Sequence, residues 1–205
     1  MSLQYWLVRG RKAATGAPQM PMIEIRWHGR GGQGGVTSAE LLAKAAYLDG
    51  YKGIQAFPYF GAERRGAPVR AFTRISSEEI NVRSQIYEPD VVAVLDQSIV
   101  ELTDITEGLK PGGKVIVNTS RRASELHLKK GHVYTYDGTG IALKYGLLVA
   151  GLPVVNTTML GAFAKATGYV KLATVKHVIE EKWPGKAGEK NAKGAQEAYD
   201  SCSDE

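Results

Sequence analysis

The sequence predicts an α/β fold: a three-layer α/β/α sandwich whose mostly parallel central sheet carries an inserted antiparallel hairpin. Three observations point there. The runs "DVVAVLD" (90–96) and "KVIVNTS" (114–120) are apolar and β-branched, as in strands buried on both faces. Helix-period segments separate and follow such runs, which is the alternation of a parallel sheet. At the head of the chain a strand-like run meets five glycines within residues 29–35 and then a helix pattern.

Taken in order, "MIEIRWH" (22–28) reads as a short strand ending at the glycines. "VTSAELLAKAAYLDG" (36–50) reads as a helix, with Thr37 and Glu40 at capping-box spacing and Gly50 as its stop. "YKGIQAFP" (51–58) is a second strand closed by proline, and 59–68 is a glycine- and charge-rich loop. The alternating runs 69–75 and 80–85, with "SSEE" between them, predict the hairpin. After the strand 90–96 comes a helix to about 108, then the strands 114–120 and 132–137. From 138 the chain reads as helical in four segments, "TGIALKYGLLVAG", "NTTMLGAFAKATG", "KLATVKHVIEEKW" and "EKNAKGAQEAYDS". Helices are expected on both faces of the sheet. An N-terminal arm (1–20), one α/β domain (21–185) and a C-terminal helix and tail (186–205) complete the expected organisation.

Composition narrows the function classes. The chain has 205 residues, 43% of them hydrophobic and 23% charged, with a formal net charge of +5. That balance suits an anionic ligand or an acidic partner, but basic residues and aromatics are not interleaved as a nucleic-acid surface requires. No apolar stretch approaches the roughly 20 residues of a membrane span, and the opening residues make a poor signal peptide. A cytoplasmic location is expected. The single cysteine, Cys202, reads as a frayed-tail residue and cannot by itself hold an iron–sulfur cluster or a structural zinc. No metal site is expected in this chain.

Four stretches carry possible chemistry. Gly29, Gly31 and Gly34 have the spacing G-x-G-x-x-G between a strand and a helix, where backbone N–H groups attract an anion. A dinucleotide site also wants an acidic residue at the end of the second strand, and "IQAFP" has none. The loop 28–34 (His28, Gly29, Gly31, Gly32, Gln33, Gly34) is therefore open between a ligand cradle, a packing turn and a subunit interface. "GAERRGAP" places Glu63, Arg64 and Arg65 between glycines, as a ligand or interface loop; arginine suits carboxylate and phosphate forks. Asp96, Asn118 and Thr119 end strands at the edge where open α/β sheets bind ligands, so they line a crevice or cap turns. "YDGTG" (136–140) begins like a thiamine-diphosphate motif but lacks its first glycine and its asparagine pair. No catalytic residue is assigned to this chain.

With these residues in view, the chain resembles the gamma subunits of 2-oxoacid:ferredoxin oxidoreductases, the pyruvate branch most of all. The resemblance rests on "RWHGRGGQGGVTSAELLAKAA", "QAFPYFGAERRGAPVRAFTRI", "EPDVVAVLD", "GGKVIVNTS" and "NTTMLGAFAKATG", and covers about residues 22–180. It implies a subunit of an enzyme that oxidatively decarboxylates a 2-oxoacid, forms an acyl-coenzyme A and reduces ferredoxin. The resemblance places thiamine diphosphate and 4Fe–4S clusters in partner chains of alpha, beta and delta type, and none in this one. Arg64 or Arg65 would then pair with an acidic partner subunit or attract the phosphates of coenzyme A. Relatives acting on branched-chain, aryl-pyruvate or arylglyoxylate substrates share much of the arginine loop. A free-standing Rossmann-like protein binding NAD or a flavin is the alternative.

Overall fold

A computed structural model describes residues 21–59 and 67–205. Its six-stranded sheet is formed by β1 (Ile23–Arg30), β2 (Gly53–Pro58), β3 (Pro68–Ser76), β4 (Val91–Val94), β5 (Lys114–Asn118) and β6 (His132–Tyr136). The spatial order is β2-β3-β1-β4-β5-β6. β1, β4, β5 and β6 pair in parallel, while β3 runs antiparallel to both of its neighbours, β1 and β2. One reversed strand thus sits in an otherwise parallel sheet. The antiparallel hairpin is β2–β3, joined across residues 60–66, and not the predicted pairing of 69–75 with 80–85.

Residues 80–85 form no strand. Their alternation reflects a different job, because the buried Arg74 guanidinium gathers this segment. It donates to the carbonyl oxygens of Ser84 (2.8 Å) and Gln85 (3.3 Å) while pairing with Glu24 at 2.9 Å. A charge cluster holds 80–86 over the sheet where a ladder was expected.

Helices α1 (Gly35–Leu48), α3 (Gly138–Tyr145), α4 (Asn156–Thr167), α5 (Leu172–Lys182) and α6 (Lys186–Ser201) pack against one another over one face of the sheet. Period-two alternation in β1 aims Ile23, Ile25 and Trp27 into this main core, where Trp27 stacks on Phe163 with ring centroids 5.9 Å apart. The opposite face is covered more thinly. Val92, Val94, Val115 and Val117 meet the short α2 (Ser98–Leu102), Ile105, Leu109 and a 3-10 turn at Ala123–Leu126. The three layers are present but unequal in weight.

Two helix predictions need correction. The helix expected to reach 108 stops at Leu102, because Asp104 then caps a turn through the Thr106 amide and hydroxyl. The segment 139–151, expected to be helical, stops at Gly146, which is left-handed at φ 65°. Beyond it, β7 (Leu148–Val149) and β8 (Leu152–Pro153) form a second, small hairpin. Cys202 is also no frayed-tail residue. It is buried beside α6, and the next residue, Ser203, bridges to Thr135 on β6. Among the described residues no helix is long and apolar enough to cross a membrane.

Candidate functional site

Parallel pairing of β1, β4 and β5 brings their C-terminal ends to one edge of the sheet. That edge collects the glycine loop, Asp96, Asn118 and Thr119, four features far apart in sequence. Glu63, Arg64 and Arg65 lie outside the described residues. The chain on either side does reach this edge: Gly31 donates to the carbonyl of Ala67 at 3.0 Å, and Tyr59 to that of Arg70 at 2.9 Å.

Gln33 ties the loop to β4. Its Oε1 accepts from the Arg30 amide (2.7 Å), and its Nε2 donates to Asp96 Oδ2 (2.8 Å). Arg30 also pairs with Asp96 (Nε to Oδ2, 3.1 Å) and reaches the Ser98 hydroxyl (2.7 Å). Ser98 returns two bonds to Asp96 Oδ1, from its amide (2.9 Å) and its hydroxyl (2.6 Å). Burial alone would push the Asp96 carboxyl up. The bonds from Ser98 and Gln33, with the Arg30 charge, outweigh it and hold Asp96 below the usual carboxylate range. An ionised acid so fully engaged serves as a structural anchor, not a general base.

The other two strand-end residues are likewise engaged. Asn118 Nδ2 donates to the Leu95 carbonyl (2.9 Å) and the Thr139 hydroxyl (3.1 Å), and its Oδ1 accepts from the Thr139 amide (3.1 Å). Thr119 donates to Gln97 and accepts from the Arg121 amide at 3.0 Å. These side chains fasten β4, β5 and the start of α3 together. Asp137, from the thiamine-like "YDGTG", caps α3 by accepting from the Gly140 amide at 2.8 Å.

The glycine loop is where backbone chemistry remains open. Gly34 is left-handed (φ 79°) and is itself the N-cap, so α1 begins at Gly35. The capping box expected at Thr37 and Glu40 does not form, because the helix has already started there. No side chain caps α1 and no acidic residue lies in its first turn. The first N–H groups of a helix lack intrahelical partners and, with the helix dipole, favour a negative group. A Cβ at Gly32 or Gly35 would meet no atom of the described residues within 4 Å; Gly32 is exposed, whereas Gly35 is buried. At Gly34 the Asn156 side chain fills that space instead.

Early helix entry removes one difference from a dinucleotide turn, but topology supplies another. β3 lies between β1 and β2. The second strand of a Rossmann unit, with its acidic ribose partner, is therefore displaced from β1, and β2 ends without an acid.

His28 lies on the thinly covered face. Its Nε2 accepts from Arg26 Nε at 3.1 Å, and it faces Arg70 in the β1–β3 register. Burial, with the charges of Arg26 and Arg70, pushes its pKa down to about 3, so the imidazole stays neutral near pH 7. Arg26 also donates to the carbonyls of Ile105 (3.0 Å) and Glu107 (2.6 Å). Sequence reasoning passed over Arg26 and Asn156. The alternation Glu24, Arg26, His28, Arg30 was the available signal for the first; nothing local marks the second.

The donor set does not fit a metal cluster. The only cysteine of the chain is buried, and burial raises its thiol to about 12, away from the thiolate a cluster needs. No group of three or more His, Cys, Asp and Glu residues converges among the described residues.

Comparison with known proteins gives consistent matches. The family model for pyruvate ferredoxin/flavodoxin oxidoreductase matches residues 24–201. The common gamma subunit of the pyruvate and ketoisovalerate oxidoreductases of Thermococcus kodakarensis is 57% identical over 182 residues, 87% of this chain and 96% of that protein. A crystal structure of a pyruvate oxidoreductase subunit from Thermotoga maritima superposes with a TM-score of 0.76 at 35% identity, covering 89% of this chain and 97% of that one. The 2-oxoglutarate:ferredoxin oxidoreductase of Magnetococcus marinus, solved with 2-oxoglutarate, coenzyme A and succinyl-CoA bound, shares the fold. Its TM-score is 0.66 at 23% identity, over 89% of this chain but only 30% of that longer one.

Proposed function

Because the chain belongs to the pyruvate ferredoxin/flavodoxin oxidoreductase family, we propose that it is the gamma-type subunit of a pyruvate:ferredoxin oxidoreductase. Its partners are then alpha-, beta- and delta-type chains that carry the thiamine diphosphate and the iron–sulfur clusters, with ferredoxin as acceptor. The observation that carries this reading is 57% identity over nearly the whole of a curated gamma subunit. The reaction joins an acyl group from a decarboxylated 2-oxoacid to the thiol of coenzyme A, and two electrons leave through the clusters. This chain contributes binding and orientation.

In this reading the glycine-loop edge faces the partner and the anionic end of coenzyme A. The start of α1, where Gly34 offers no side-chain cap, and the exposed Gly32 support it. So does the attachment of Ala67, two residues beyond Arg65, to Gly31. Arg64 and Arg65 would add charge that speeds encounter and orients the phosphates.

Purification of the tagged chain from its native source tests the assignment. Thiamine diphosphate, iron and sulfide recovered with three further chains support it; recovery of the chain alone, stabilised by NAD, overturns it. Replacing Arg64 and Arg65 with alanine should raise the apparent KM for coenzyme A or weaken assembly.

A further inference from the structure

On the thinly covered face of the sheet, β1 and β3 bring two arginines together without an acid bonded to either. Arg70 lies directly opposite His28 in the antiparallel register, and Arg26 is its diagonal neighbour. Opposite residues share a face with Cβ atoms about 5 Å apart, and diagonal ones are about 7–8 Å apart. Arg26 is 5% exposed, yet among the described residues it donates only to His28 and to the carbonyls of Ile105 and Glu107. Half-buried Arg70 has no side-chain hydrogen bond or ion pair among those residues. Burial and then the Arg70 charge lower the Arg26 pKa, against smaller opposing effects of Glu107 and Asp104.

His28 adds an unused donor. An arginine Nε can only donate, so His28 Nε2 accepts from Arg26 and the neutral ring carries its proton on Nδ1. The side chain is 97% buried, and its Nδ1–H has no acceptor among the described residues. No fully enclosed side-chain nitrogen or oxygen among those residues lacks a partner, so Nδ1 is the atom at which this ring meets the surface.

Like charges set close across a strand pair lower stability, and a chain keeps such a conflict where a site needs it. We infer that His28 and Arg70 form an oxyanion site, in which the Nδ1–H and the guanidinium hold one carboxylate or phosphate group. Two oxygens of either group match the guanidinium fork, and the imidazole N–H binds one of them. Arg26, itself fixed by two carbonyls, sets the ring tautomer and acts as a positioning residue. The occupant is a dissociable anion or an acidic side chain of another chain; both present the same oxygens. The site is made of this chain's own residues and stands apart from the gamma-subunit reading, which only the second arm of the test uses.

The first arm uses the free full-length chain, wild type and Arg70→Gln, in inorganic phosphate or in chloride of equal ionic strength at pH 7. Phosphate at ten times its Kd should raise the wild-type melting midpoint by about 3–6 °C over chloride. In histidine-labelled protein the His28 Nδ1–H resonance should move with phosphate and saturate. Arg70→Gln should lose both responses, yet in chloride it should melt at or above the wild type, because the repulsion on Arg26 is gone. A purely structural Arg70 gives the opposite result, a lower midpoint in chloride. That result, equal effects of chloride and phosphate, or a phosphate response that survives in Arg70→Gln overturns the inference. The second arm measures phosphate uptake by the purified hetero-oligomer. Uptake that depends on Arg70 assigns the site to a dissociable anion, and its disappearance on assembly assigns it to an acidic side chain of a partner chain. A wild-type chain that recovers no partners removes the gamma-subunit reading, while the first arm still decides the site.

Discussion

The Asn156 side chain occupies the space that a Cβ on Gly34 would need: its Nδ2 stands 2.7 Å and its Cβ 3.0 Å from that point. The start of α4 is thereby locked against the start of α1, and Ser38 bridges the two through the carbonyls of Gly34 and Asn156 at 3.2 Å each. Gly34 is required twice, for this approach and for its left-handed backbone at φ 79°. Its neighbour Gly35 has neither constraint.

Gly34→Ala and Gly35→Ala should accordingly separate. The first should cost about 2 kcal/mol or more from backbone strain and overpacking, read as a lower urea midpoint. The second should be neutral or stabilising by up to about 1 kcal/mol, since alanine favours a helix.

Acid should destabilise the protein through His28. Its folded pKa of about 3 lies below the ordinary value of 6.5. The unfolded chain then takes up a proton that the native state refuses. The stability from the neutral imidazole is present above about 6.5 and declines as pH falls toward 3. Urea midpoints at pH 7 and pH 5 should differ in the wild type. His28→Gln, which retains an acceptor for Arg26, should shrink that difference. An unchanged pH dependence would sink the assignment.

Gly161 lies at the contact of α4 with α6, where a Cβ would run into the Ala195 carbonyl oxygen. Gly161→Ala should cost about 1–3 kcal/mol by forcing the two helices apart. Thermal melting of the free chain measures this directly.

Arg74 is 1% exposed and pairs with Glu24 while gathering the carbonyls of Ser84 and Gln85. Arg74→Lys keeps the charge but loses the planar fork. It should lower stability by about 2 kcal/mol or more, a share of the cost of breaking a buried pair. Amide exchange in 84–86 should accelerate with it. If exchange there is unaffected, another contact holds the segment.

The sequence by itself determined the class of fold and the family. Runs such as "DVVAVLD" and "KVIVNTS" carry their own signal, because a strand buried on both faces must be apolar at every position. The helices 156–167 and 172–182 were legible for the related reason that their apolar residues recur at helical spacing. Tertiary contacts decided the rest. Residues 80–85 alternate like a strand but are held by the Arg74 guanidinium, an interaction with a residue on another element. Thr37 has the spacing of a cap, yet left-handed Gly34 starts the helix earlier because Asn156, 122 positions on, packs there. "GLLVAG" (146–151) reads as the end of a helix, and only the fold shows a small hairpin there, β7–β8, with Leu148, Val149 and Leu152 exposed. Periodicity records which residues avoid water; it does not record whether the surface they meet is their own domain or another chain.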